Sequence, residues 1–175
     1  MLRIQNISGL WHVIKSSTYI LNMENNEKTI EVLNDLIQIN NDRADGFTKA
    51  SDDLKDANID LKATFDKLAS DSRANVTELA GLVGRQGDNP DTGNTILGSL
   101  HRAWIDIKAS FGGDDRHSIL AECERGEDAI KKAYREALQE NELGENVRTV
   151  LLKQQEGINA SHDAIKALRD AHEAL

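Results

Sequence analysis

The sequence predicts an all-α helical bundle, and three observations predict it. Apolar residues recur at three- and four-residue spacing through four long runs. The first and last of the joints between these runs are short and polar, while the middle one is long and rich in helix breakers. Composition removes the competing classes. The 175 residues include one proline (Pro90) and few aromatics, with 39% hydrophobic and 29% charged residues. That balance suits one domain with a real core and excludes collagen-like, mucin-like and disulfide-framework chains. It also argues against a β-sandwich, which needs many turn residues and β-branched runs.

The chain opens on a segment unlike the rest. Residues 1–22 hold no Asp or Glu, and their formal charges are Arg3 and Lys15. Ile4, Ile7, Trp11 and Ile14 fall at helical spacing, which predicts a short amphipathic helix. The unbroken apolar runs are too short for a transmembrane span or a signal-peptide core. Three readings fit this leader: a membrane-surface or targeting helix, an arm that packs on the bundle or on a neighbouring subunit, and a start-site artefact. The last makes Met23 the native start and is the plainest of the three. The domain expectation is therefore an extension over 1–22 and a single bundle over 23–175.

Ile30, Leu33, Ile37, Ala44 and Phe47 mark one face of a first bundle helix over about 26–52. Leu61, Phe65, Leu68, Val76, Leu79 and Val83 mark a second over about 57–85. The polar joint from Ser51 to Asn58 makes these two antiparallel neighbours. Gly84 to Gly93, with Pro90 inside it, is the strongest breaker run in the chain. A short helix follows, with Leu97, Leu100, Trp104, Ile107 and Phe111, and Gly112-Gly113 stops it. Asp114 or Asp115 can then cap a third long helix over about 115–141, striped by Ile119, Leu120, Cys123, Ile130, Tyr134 and Ala137. After the short joint at Asn141–Gly144, a fourth helix over about 145–173 carries Val147, Leu151, Ile158, Ile165 and Leu168. Two short-looped hairpins linked by one long crossover, itself holding an extra short helix, is the connectivity of a ferritin-like four-helix bundle. Three- and five-helix arrangements share part of this spacing.

Three stretches carry a resemblance: Asn26 to Arg43, Leu100 to Lys108, and Glu122 to Asp128. Together they resemble a bacterial family of ferritin-like four-helix-bundle proteins, the domain-of-unknown-function family 2383, over about residues 25–172. The resemblance implies a four-helix bundle in a bacterial cytoplasm and implies little about activity. Members of that family usually begin near Met23, which favours the artefact reading of the leader.

Ferritin-like bundles that bind two metals set one Glu on each of two helices and a Glu-x-x-His on each of the others. Here Glu-x-x-His is absent from the chain. Asn40 stands on the first helix where a ligand Glu is expected. The second helix offers Asp71, Ser72 and Asn75, the third Glu124 and Glu127, and the fourth Gln154 and Gln155. One account is a reduced iron or manganese site built from Glu124, Glu127 and Asp71 with the amide oxygens of Asn40 and Gln155. The other, which the residues favour, is a bundle without metal whose axis holds a polar network of Asn40, Ser72, Glu127 and Gln154 or Gln155.

Other chemistry is weaker still. Cys123, the single cysteine, is flanked by Glu122 and Glu124, which suppress a thiolate, so it reads as a small core residue. His101, His117, His162 and His172 lack a helical partner at three or four residues and read as surface or helix-end residues. Gly46, Gly126 and Gly157 lie inside helices and predict close helix crossings. The three Asn-x-Ser/Thr matches lack a secretion signal. A net charge of −9 leaves no excess base for phosphates, so nucleic acid is excluded as a partner. The first functional reading is a non-catalytic bundle that associates with itself, with a stress response as its expected setting, and needs no cofactor. The second is an iron- or manganese-binding carboxylate bundle with oxidase-type or storage activity.

Overall fold

The computed structural model describes the backbone of residues 7–90 and 115–173 and the side chains of residues 23–90 and 115–171. The crossover helix with Leu97, Leu100, Trp104, Ile107 and Phe111, and the His101 and His172 side chains, lie outside the described residues. Among the described residues the protein is an all-α, four-helix fold. Its elements are α1 (Ile7–Asp52), a 3-10 helix (Asp56–Leu61), α2 (Lys62–Arg85), α3 (Arg116–Ala137) and α4 (Glu145–Glu173). The expected boundaries of the bundle helices hold to within a few residues, with two differences. The leader is helical from Ile7 and runs into the first bundle helix through Met23 without a break. The start of the second expected helix is a separate 3-10 turn.

The apolar stripes of all four helices meet in one core, which includes Leu33, Phe47, Phe65, Leu79, Leu120, Ile130, Tyr134, Leu151 and Ile165, all essentially inaccessible. The Phe47 and Phe65 rings lie 5.6 Å apart at a tilt of 42°, a favourable edge-on offset between α1 and α2. Partner residues run in opposite order along α1 and α2: Asn26 bonds Gln86, Asn40 bonds Asn75, Arg43 bonds Ser72 and Ser51 bonds Asp66. The same opposite order holds for α3 and α4, where Glu124 meets Arg169, Glu127 meets Ser161 and Tyr134 meets Gln154.

Side chains close the helix ends. Asp115 accepts from the Ser118 backbone N–H at 2.8 Å and caps α3, one of the two residues expected to do so. Arg148 donates to the carbonyls of Leu138 and Glu140, both at 2.7 Å, and so occupies the acceptors left open where α3 stops. Gly87, at φ 85°, ends α2 in a left-handed turn that a side chain would strain. At the opposite end of the bundle Arg116 makes a two-pronged pair with Asp60, 2.8 Å on each prong, and holds its carboxyl below the usual range. None of the described helices is long and apolar enough to cross a membrane.

Candidate functional site: a polar layer inside the bundle

The centre of the bundle holds polar residues, supplied by every helix. Arg43 of α1 is 1% exposed and reaches all three neighbours. Its Nε donates to Glu127 Oε1 of α3 at 2.7 Å, one Nη donates to Ser72 Oγ of α2 at 2.7 Å, and the other to Ser161 Oγ of α4 at 2.9 Å. The Leu68 carbonyl is a further acceptor at 3.4 Å, and the guanidinium stands 5.2 Å from the centre of the Phe47 ring. Glu127, itself inaccessible, takes its second oxygen's bond from Ser161 at 2.9 Å.

A second layer lies alongside, three residues back on α1 and seven on along α3. Asn40 donates to the Leu36 carbonyl and to the Tyr134 hydroxyl, each at 2.8 Å. Tyr134 donates in turn to Gln154 Oε1 at 2.6 Å. Gln154 passes the chain to Glu78 Oε2 at 2.9 Å, and Asn75 returns it to Asn40 Oδ1 at 3.2 Å. The side-chain amides of Asn40 and Gln154 each have both donor and acceptor engaged, the condition under which a buried polar network stabilises instead of costing.

The groups that could react are held in resting forms. Burial pushes the Tyr134 phenol far above its usual range, so it stays protonated. Burial, with Glu127 and Glu122 adding like charge, pushes the Cys123 thiol well up, in line with its reading as a core residue. Glu127 is tied to a permanent cation. A groove of about 330 Å³ between α2 and α4 reaches this layer, with Gly157 on its wall and Arg43 on its floor. Nothing stands within 4 Å of where a Gly157 side chain would begin, so close helix crossing is not what this glycine serves.

The residues considered for a metal are held by different partners. Glu127 is bound to Arg43, and Asn40 to Tyr134, Leu36 and Asn75. Glu124 pairs with Arg169 of α4 and lies 4.0 Å from His162. Asp71 is on the surface with Lys67 at 2.5 Å. Gln155 is half-buried, and its neighbour Gln154 is the one that enters the layer. Among the described residues no three His, Cys, Asp or Glu side chains gather as ligands. Carboxylate bundles need several acids around one cation. Among the described residues the centre of the bundle offers Glu127, already paired with Arg43, with amides, hydroxyls and a phenol, and that set does not fit a metal pair.

Asn40, Ser72, Glu127 and Gln154, expected on the axis from their stripe positions, are all buried there. Arg43, the Tyr134 hydroxyl, Ser161 and Glu78 were not expected, whereas Asn75, one of the polar residues offered by the second helix, joins the layer. Arg43 left a signal, because it lies three residues after Asn40 and four before Phe47, on the apolar stripe itself. His162 also departs from its surface reading. It is 8% exposed, with Asp128 at 3.2 Å and Asp163 at 3.0 Å.

Comparison with known proteins gives one family. The model for a domain of unknown function, DUF2383, matches residues 28–140, from the start of the bundle portion of α1 to just past α3. No curated protein matches the chain. The match takes in well over half the sequence, including Asn40 and Arg43 of the polar layers, so the chain belongs to the DUF2383 family.

Proposed function

We propose that this protein is a ferritin-like bundle in which an internal ion pair stands where carboxylate bundles hold metal, and that it acts structurally, by associating with itself. The observation that carries the reading is Arg43. A guanidinium bound to Glu127, Ser72 and Ser161 fills the central position with a covalently attached cation. A divalent ion would have to displace it and then find ligands among hydroxyls and amides, which are weak donors for iron or manganese without several carboxylates.

The ferritin-like connectivity is part of the same proposal. The end of α2 lies beside Asn26, through the bond to Gln86, while the start of α3 lies beside the 3-10 helix, through Arg116 and Asp60. These are opposite ends of the bundle. The two described ends are therefore separated by about the length of α2, roughly 36 Å for its 24 residues. That distance supports two antiparallel hairpins joined by a crossover.

Metal analysis tests the reading. The full chain is purified without chelator, exposed to Fe(II) in air or to Mn(II), desalted and assayed by mass spectrometry, with its association state followed by sedimentation velocity. The expected result is no stoichiometric metal and a species larger than one chain. Stoichiometric iron or manganese that disappears in Glu127→Ala would overturn the metal-free reading, and a monomer at every accessible concentration would overturn self-association.

A further inference from the structure

α2 and α4 are bridged at two levels and part between them. At one level Gln154 of α4 donates to Glu78 of α2 at 2.9 Å. At the other, Arg43 reaches across from α1 to join Ser72 of α2 and Ser161 of α4. The two levels are seven residues apart on α4, about 10 Å along its axis. Between them the helices present small residues, Ala74 on α2 and Gly157 on α4, and both are exposed. The slot they leave is the groove of about 330 Å³ floored by Arg43, with Asn75 and Ile158 also lining it. That volume lies at the small end of the range for pockets that hold small molecules.

Three features point to a ligand. Arg43 has five N–H donors, and four are engaged, by Glu127, Ser72, Leu68 and Ser161. The fifth, on the Nη that bonds Ser161, meets no acceptor among the described residues, although the side chain is essentially inaccessible. A buried donor left without an acceptor is costly. The side-chain carbonyl of Asn75 also meets no donor among the described residues, since its Nδ2 serves Asn40 and its backbone carbonyl serves Gln154. Gly157 is the third feature. Glycine inside a helix destabilises it relative to alanine, and an added Cβ here would meet nothing within 4 Å. Packing does not require this glycine, whereas an open slot does.

One free donor and one free acceptor on the same slot are the complement of an amide edge. We propose that the slot binds a small, flat, uncharged molecule through a carboxamide or lactam group, whose carbonyl accepts from Arg43 and whose N–H donates to Asn75. The body of the molecule rests on Ala74, Gly157 and Ile158. Charge decides against a carboxylate in the same place. Glu127 already neutralises Arg43 at 2.7 Å, and the other lining cation, Lys153, is exposed and pairs with Glu78. A second carboxylate would be desolvated near the first without a cation of its own.

Nicotinamide (a carboxamide), uracil (a lactam) and nicotinate (the charged control) test the site by chemical-shift titration of the isotope-labelled full chain. At least one of the two uncharged probes should give saturable shifts in the backbone amides of residues 74–75 and 157–158, with a Kd of about 1 mM for so small a molecule. Nicotinate should bind about tenfold more weakly than nicotinamide, or worse. Gly157→Leu puts a good helix former into the slot, so it should keep the fold and raise the thermal midpoint while abolishing the shifts. No saturable shift with either uncharged probe, or shifts that survive Gly157→Leu, would overturn the site. Nicotinate binding as tightly as nicotinamide would overturn the uncharged class of ligand.

Discussion

Arg43 is where the cost and the benefit of the polar interior are both concentrated. A buried charge pair recovers its desolvation only through good geometry and further hydrogen bonds, and Arg43 with Glu127 has both, since Ser72 and Ser161 occupy the remaining directions. Removing one partner strands the other. Arg43→Met should therefore cost about 3–5 kcal/mol in urea unfolding, while adding Glu127→Leu should restore most of it. Tyr134 gives a pH signature. Its phenol is pushed up in the folded state, so its contribution is complete below the ordinary tyrosine range and is lost as pH rises above about 10. Tyr134→Phe should be about 1–2 kcal/mol less stable near neutrality, from the lost bonds to Asn40 and Gln154, and the gap should narrow between about pH 9 and 11. Residue by residue, the sequence reveals which polar groups lie on an apolar stripe but not what they meet. Asn40, Ser72, Glu127 and Gln154 were legible because each interrupts a periodic face. Ser161 was not, because its role depends on Glu127 34 residues away.

At the scale of elements, the helices were legible almost to their ends, because stripe, cap and breaker act within a turn or two. Asp115 is such a case, read from its place before an apolar run. Arg148 is the contrary case. Its bonds to the Leu138 and Glu140 carbonyls cross the joint between α3 and α4 and hold Leu143 under cover, 7% exposed. Arg148→Met, which keeps the stem but not the donors, should lower stability by about 2 kcal/mol and speed amide exchange in residues 138–144. The separate 3-10 turn at Asp56–Leu61 escaped the sequence reading because Leu61 continues the apolar spacing of α2. The continuity of α1 escaped it too. Composition changes sharply near Met23, yet helix formation depends on backbone conformation, which the change in charge does not interrupt.

For the whole molecule, the charge of −9 divides between an acid-free leader and a bundle of −11, and the division carries more meaning than the sum. By itself the sequence determined the all-α class, most of the helix limits, the family and many of the residues that interrupt each apolar face, because periodicity and capping are local properties of the chain. Only the tertiary structure decided what those interruptions do. Arg43 and Glu127 are 84 residues apart in sequence and 2.7 Å apart in the bundle. No local pattern encodes that meeting, which comes from packing four helices in register and puts a guanidinium at the centre of the bundle.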